Sequence, residues 1–411
     1  MKPTPKSLPE AGIRMFYKFK SVAIIPLIAW LMLITCPLAA QTVIDSPQEE
    51  AEVDQQQENP DTENGGKKST WGKFLPLPIF ITEPAIGEGL GATLIYFHHE
   101  EDAKNSKGRK ATTAHNLSKA GQRSKPPPTA TAIFAAYTNN DTAAAGIGHS
   151  NSFLNDKYRL VAAAASARIN SKFYVVDMPF NFSLDGNFIY ANLKRRFGDS
   201  NAFFGIATSY LDAGVIFESS FPVFNSVSLD DFDFVDVGLA ASLIYDTRDN
   251  TVMPNSGYIV DLTSWHYDEA FGGDFDYSST RFIGNSFHKF GQKYVLGLRL
   301  DISQADGDVP FYAEPYVRLR GIPALRYQGK NVTVVEIEGR RRISDRWSAS
   351  VFTGAGNVKI GRQPSETGDN INTVGIGARY IALREQDAWV GIDIAAGPEE
   401  VVVYIQMGQA W

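Results

Sequence analysis

The sequence predicts an all-β fold: a single antiparallel transmembrane β-barrel of about 16 strands, preceded by a signal peptide and a disordered linker. Three observations predict it. The chain beyond the linker has no apolar run of about 18 residues, the length with which a helix crosses a bilayer. It has instead many segments of roughly ten residues in which apolar and polar side chains alternate. Short and long connections between these segments tend to alternate along the chain, as they do when hairpins close into a barrel.

From the N-terminus, Lys18 and Lys20 precede an apolar run over 22–34 and the small residues Ala39 and Ala40. That is the pattern of a signal peptide over 1–40, with Met1 or Met15 as the start. The run is short and Pro26 interrupts it, which argues against a membrane-spanning helix. Residues 41–72 are acidic and rich in Gln, Glu, Asp and Asn. They cannot bury enough apolar surface to offset their ordering entropy, so a disordered periplasmic linker is expected there. The barrel domain is then 73–411.

Within it, Tyr294, Leu296, Leu298, Leu300 and Ile302 share one parity, and Val295, Gly297, Arg299, Asp301 and Ser303 the other. A strand sends these sets to opposite faces, one suited to lipid and one to a wet interior. Ile189, Ala191 and Leu193 alternate in the same way with Tyr190, Asn192, Lys194 and Arg196. Val335 and Ile337 alternate with Glu336, Glu338, Arg340 and Arg342. A soluble sandwich also alternates; the number of segments and the charge on the second face favour the barrel. Short connections at 197–201, 290–293, 343–346 and 383–387 are expected at one end, and long ones at 98–129, 218–234, 304–330 and 357–371 at the other. The first strand is read at Gly87 and the last at 401–411, whereas 150–185 shows no clear strand boundaries.

Composition narrows the function classes. A net charge of −7 and a pI near 5.5 offer no basic face for nucleic acid. The sole cysteine, Cys36, lies in the targeting segment, which leaves no disulfide framework and no cysteine metal site. Mean hydropathy is −0.18, compatible with a barrel because only half of each strand needs to be apolar.

Four groups of residues carry more specific information. Tyr245-Asp246-Thr247-Arg248-Asp249-Asn250 is followed by Pro254 and Gly257. Leu319-Arg320-Gly321-Ile322-Pro323 is followed by Arg326-Tyr327-Gln328-Gly329. Glu338, Arg340 and Ile343 precede Trp347, Phe352, Gly354 and Gly356. Gly375, Gly377 and Arg379 precede Asp393, Tyr404, Gly408 and Trp411. In this order and spacing the chain resembles the BamA/TamA superfamily of outer-membrane barrels, the bacterial surface-antigen type, over about 87–411. It is most similar to a short branch lacking periplasmic POTRA domains.

The resemblance implies a place in the bacterial outer membrane and a loop, Leu319-Arg320-Gly321, folded back into the lumen. It implies a mid-barrel turn at Asp246, Arg248, Asp249, Pro254 and Gly257, and a C-terminal assembly signal that includes Tyr404, Gly408 and Trp411. Many members pair the loop arginine with an aspartate at the position of Gly354, so here Arg320 needs other carboxylates. A confined, unpaired guanidinium is costly. Glu336 and Glu338 have the inward parity and are the nearest candidates, with Arg340, Arg342 and Arg379 expected to share the network. The blander reading is an ion cluster that only stiffens a plug.

Other features read as structure before function. Gly87, Gly89 and Gly91 look like a phosphate loop, but no helix follows, and small residues that weaken pairing with the last strand explain them better. His98 to Asp102, and Asp230, Asp231, Asp233 and Asp236, could bind divalent ions, yet solvated loops account for both. The basic stretch 104–125 reads as a polar loop. His149-Ser150 suggests a hydrolase, but no ordered Ser-His-acid set is present. No enzyme activity, cofactor or metal is expected. The partners implied are outer-membrane lipids, the barrel-assembly machinery, and client polypeptides or a separate periplasmic protein, with no nucleic acid. By resemblance the barrel assists insertion or translocation of polypeptide or lipid. A plugged structural or surface-exposed barrel and a small-solute pore stay open as alternatives.

Overall fold

The structure, a computed structural model, describes residues 74–98, 129–175, 178–217, 232–310, 312–359, 369–383 and 388–411. The expected signal peptide, linker and basic loop lie outside the described residues. Sixteen strands form one sheet in chain order, each antiparallel to the next. They are β1 (Phe74–Glu83), β2 (Gly87–Phe97), β3 (Ala130–Thr138), β4 (Ala143–Phe153), β5 (Tyr158–Val175), β6 (Met178–Arg196), β7 (Ala202–Phe217) and β8 (Phe232–Asp246). The second half comprises β9 (Gly257–Tyr267), β10 (Tyr277–Phe290), β11 (Tyr294–Gly307), β12 (Asn331–Arg342), β13 (Trp347–Lys359), β14 (Asp369–Leu383), β15 (Ala388–Ala396) and β16 (Val401–Met407). The last strand returns beside β1. Among the described residues no helix is long and apolar enough to cross a membrane.

Alternation explains the closure. Leu90, Ile133, Ile147, Ile189, Ile206, Leu243, Val351, Val374, Ile376 and Ile392 stand exposed on the outer face, while neighbours of opposite parity are buried. In lipid every backbone polar group needs an internal partner, so strands with an apolar outer face must close on themselves. Aromatic pairs Phe74–Tyr96, Phe153–Tyr158, Tyr245–Tyr258 and Trp347–Tyr380 ring the end where β1 begins and β16 ends. Such rings belong at a membrane–water boundary. We call this the terminal end and the opposite one the far end.

The first strand differs from the expectation. It is Phe74–Glu83, not the strand at Gly87, because Pro76 and Pro78 disguise it. Proline cannot donate to a ladder and is tolerated on an edge strand, which β1 is. Four strands, β3–β6, separate the 98–129 connection from the turn at 197–201, so that connection falls at the terminal end, with the short turns. The unclear stretch 150–185 resolves into β4, β5 and β6, the latter two 18 and 19 residues long. At ~3.3 Å per residue such strands reach about 60 Å, well past an apolar band ~25 Å tall even when tilted.

The interior also departs from a wet hollow. Towards the far end, Phe134, Phe182, Leu184, Phe188, Leu211, Val215 and Phe234 point inward and pack into one buried cluster. Finally, β16 ends at Met407 and not at Trp411. Gly408 takes φ +73°, and the chain leaves the sheet there.

Candidate functional site: the lumen loop and the barrel seam

Residues 308–330 join β11 to β12 at the far end and fold into the barrel. Their own pattern drives this. Val317, Leu319 and Ile322 pack against Val332, Val334, Val358 and Ile371 of β12, β13 and β14. The loop is tied to itself by a bridge between Tyr316 and Gln328, by Val317 N–H donating to Tyr327 O (3.0 Å), and by Gly329 N–H donating to Pro315 O (2.9 Å). Gly321 has φ +93°, and a Cβ there would lie 3.1–3.3 Å from backbone atoms at the end of β15. Only glycine combines that conformation with so close an approach.

Arg320 reaches three carboxylates from this tip. Its Nε donates to Glu336 Oε1 at 2.8 Å, and Nη2 also binds that oxygen. Nη1 donates to Asp393 Oδ2 at 2.7 Å. Glu338 Oε2 lies 2.8 Å from Nη2 as an ion pair, at an angle outside hydrogen-bond geometry. The guanidinium lies over the Phe352 ring, 3.4 Å from its centroid. Burial by itself would favour a neutral guanidine; the three carboxylates outweigh it and hold the charge.

The network extends along the wall. Arg299 donates to Asp301 (2.8 Å) and Glu336 (3.3 Å), Arg281 binds Asp301 at 2.6–2.9 Å, and Arg379 binds Asp393 at 2.5 and 2.9 Å. Four arginines (281, 299, 320, 379) thus pair directly with four carboxylates (301, 336, 338, 393), a neutral set of ion pairs to which Arg318, beside Arg281 and Asp301, adds a fifth guanidinium. That balance lets so many charges be buried together.

Glu336, Glu338 and Arg379 join Arg320 where the sequence placed them. Arg342 does not: it is exposed at the terminal end of β12. Arg340 is linked only indirectly, through Gln409, which accepts from Arg340 (2.9 Å) and donates to Glu338 (3.0 Å). The partner that sequence reasoning missed is Asp393, fully buried on β15. Its signal was present, since Trp389, Gly391, Asp393 and Ala395 share the inward parity. Position 354 has no carboxylate because Leu319 occupies its space; a Cβ on Gly354 would lie 2.5 Å from Leu319 Cδ2.

The mid-barrel turn is held together locally. Asp246 accepts two hydrogen bonds from the Arg248 guanidinium at 2.9–3.0 Å, and Asp249 accepts from the N–H groups of Asn255 and Ser256. Pro254 O accepts from Arg340 at 2.6 Å, and Gly257 opens β9 at φ +95°. At the C-terminus, Gly408 O accepts from Arg379, and Trp411 stacks on Phe287 with centroids 5.4 Å apart. The last residues therefore turn into the lumen.

The candidate ion sites take other partners. Asp236 accepts from the hydroxyls of Tyr277 (2.8 Å) and Tyr312 (2.7 Å), which pins the loop to β8, while Asp230 and Asp231 lie outside the described residues. His98 contacts Thr131, and residues 99–102 lie outside the described residues.

The loop also touches both edges of the seam. Ala324 N–H donates to Glu83 of β1 at 2.8 Å, and Gly321 N–H donates to Tyr404 of β16 at 2.9 Å. Arg326 and Tyr327 bind Glu399 in the turn between β15 and β16 at 2.9 and 2.7 Å. Among the described residues every consecutive pair of strands shares a ladder, whereas β1 and β16 end the sheet order.

A family model described as the Omp85 superfamily domain matches residues 124–382. No curated protein matches the chain. Among solved structures, the barrel is similar to BamA from Haemophilus ducreyi lacking POTRA domains 1–3, with TM-score 0.54 and 12% identity over 81% of this chain and 68% of that one. It is also similar to CdiB from Acinetobacter baumannii, with TM-score 0.52 and 10% identity over 81% of this chain and 59% of that one. At these identities the likeness is one of fold.

Proposed function

The chain belongs to the Omp85 superfamily and is a bacterial outer-membrane barrel; from that premise we propose that it assists insertion or translocation of polypeptide, or of lipid, through the seam between β1 and β16. The observation that carries this reading is the loop: it binds β1 through Glu83 and β16 through Tyr404, bracketing the one place where the sheet order ends. An edge strand presents unpaired N–H and C=O groups, and a client strand adds to such an edge by backbone hydrogen bonds. Pro76 and Pro78 remove two donors from the same side of β1, which weakens the ladder that side can make. In this reading the terminal end faces the periplasm, 1–40 is the signal peptide and 41–72 the linker.

The alternative is a plugged structural barrel, favoured by the apolar cluster packed towards the far end of the lumen. One experiment separates the two. Residues 41–411 contain no cysteine, so engineered pairs between 75–79 and 401–405 can lock the seam by disulfide. Locking should lower the steady-state levels of other outer-membrane barrels in cells carrying only the locked copy, and reduction should restore them. Unchanged levels with a fully locked seam leave the structural barrel.

A further inference from the structure

A cavity of about 220 Å³ opens at the terminal end, inside the barrel mouth and away from the Arg320 cluster. It far exceeds the ~10–15 Å³ that one water needs. Its walls hold Lys289, Lys293, Arg340 and Arg342, with Asn255 and Gln292 as further polar lining, and no lining residue is a carboxylate. Four cations line one space, whose remaining walls include Ser348 and the apolar Met253, Val295, Ile381 and Trp389, in contrast to the balanced network above it.

Arg340 makes the contrast sharper. It is 94% buried, from a relative exposure of 6%. Its guanidinium donates to three neutral acceptors, Pro254 O (2.6 Å), Asn255 Oδ1 (3.0 Å) and Gln409 Oε1 (2.9 Å). Among the described residues it has no direct carboxylate partner, unlike Arg281, Arg299, Arg320 and Arg379. The carboxylates acting on it from longer range are engaged elsewhere: Glu338 with Arg320 and Gln409, Asp249 with backbone N–H groups. A buried cation whose direct partners are all neutral, beside three further cations, offers uncompensated charge to an anion.

We infer that this mouth cavity binds a phosphate-type oxyanion, with Lys289, Lys293 and Arg342 as movable donors around the fixed Arg340. Lys289 and Lys293 frame the turn between β10 and β11, and Arg342 ends β12, so all three reach the cavity from the aqueous rim. Arg340 is held on its strand by the mid-barrel turn and the C-terminal segment. The ligand is either the phosphate of a lipid headgroup at the rim or a free phosphate or phosphorylated solute.

The test is calorimetric titration of inorganic phosphate into the mature chain in a phosphate-free non-ionic detergent. Saturable binding is expected with a Kd below about 1 mM. The double variant Lys289→Gln/Lys293→Gln should weaken it at least about tenfold, the equivalent of one charge-assisted hydrogen bond. Both lysines are exposed, so the variant keeps the fold. Lys157→Gln, an exposed lysine at the same end, should leave the affinity unchanged. Repeating the titration in phosphatidylglycerol nanodiscs separates the sources: a lost signal assigns the site to headgroups, and a retained signal to a soluble phosphate. A Kd above about 1 mM in detergent, or equal affinity in the double variant, overturns the site.

Discussion

On the wall built by β5–β8, the lumen loop meets Phe188, Leu211, Val215 and Phe234 through its own Tyr312, Tyr316, Ala324 and Leu325. On the wall built by β11–β15 it meets Glu336, Glu338 and Asp393 through Arg320. Apart from the Tyr312 hydroxyl donating to Asp236 of β8, the first contact is set by shape and by exclusion of water, which is non-directional and tolerant of small shifts. The second depends on particular atoms meeting at hydrogen-bond distance, and each buried charge depends on its partner. The second wall adjoins β16, whereas the apolar cluster also takes in Ile81 of β1. The loop therefore has an anchor that survives movement of β15 and β16, and a latch that does not.

Three substitutions probe this contrast, from the largest expected effect to the smallest. Arg320→Ala leaves Glu336 and Asp393 buried with fewer partners and should destabilise the barrel by about 3–5 kcal/mol. Urea unfolding in detergent, followed by electrophoretic heat-modifiability, reads the loss. A change below about 1 kcal/mol would mean that the latch bears no load. Leu211→Ala opens a cavity in the apolar wall and should cost about 2–4 kcal/mol. That loss should be indifferent to salt, so a salt-dependent loss would erase the distinction between anchor and latch. Arg168→Ala breaks an exposed pair with Asp185 (61% and 54% exposed) on the same β5–β6 hairpin. It should change stability by less than about 1 kcal/mol, which calibrates how little an ion pair contributes when it is not enclosed.

How much of this was legible beforehand varies residue by residue. The parity of Glu336 and Glu338 placed them inward because strand alternation is a local property, readable within a few residues. Arg320 was legible as a lumen residue through the resemblance of its loop. Asp393 was visible as an inward residue of its own segment, but its meeting with Arg320 spans 73 residues. The strand at Phe74–Glu83 was hidden by its two prolines, and its acceptability came from being an edge, a fact about the whole sheet. Trp411 followed the alternation of a last strand on paper, yet Gly408 turns it inward onto Phe287.

The amino-acid sequence by itself determined the strand-rich architecture and the two faces of most strands, since both are written in short-range periodicity, and its resemblance to a family marked the loop. Tertiary structure alone decided which carboxylates meet Arg320, where the seam falls, and that four cations share one mouth cavity. Closure of a barrel joins strands far apart in the chain, and no local pattern records which inward side chains will face each other once the ring is made.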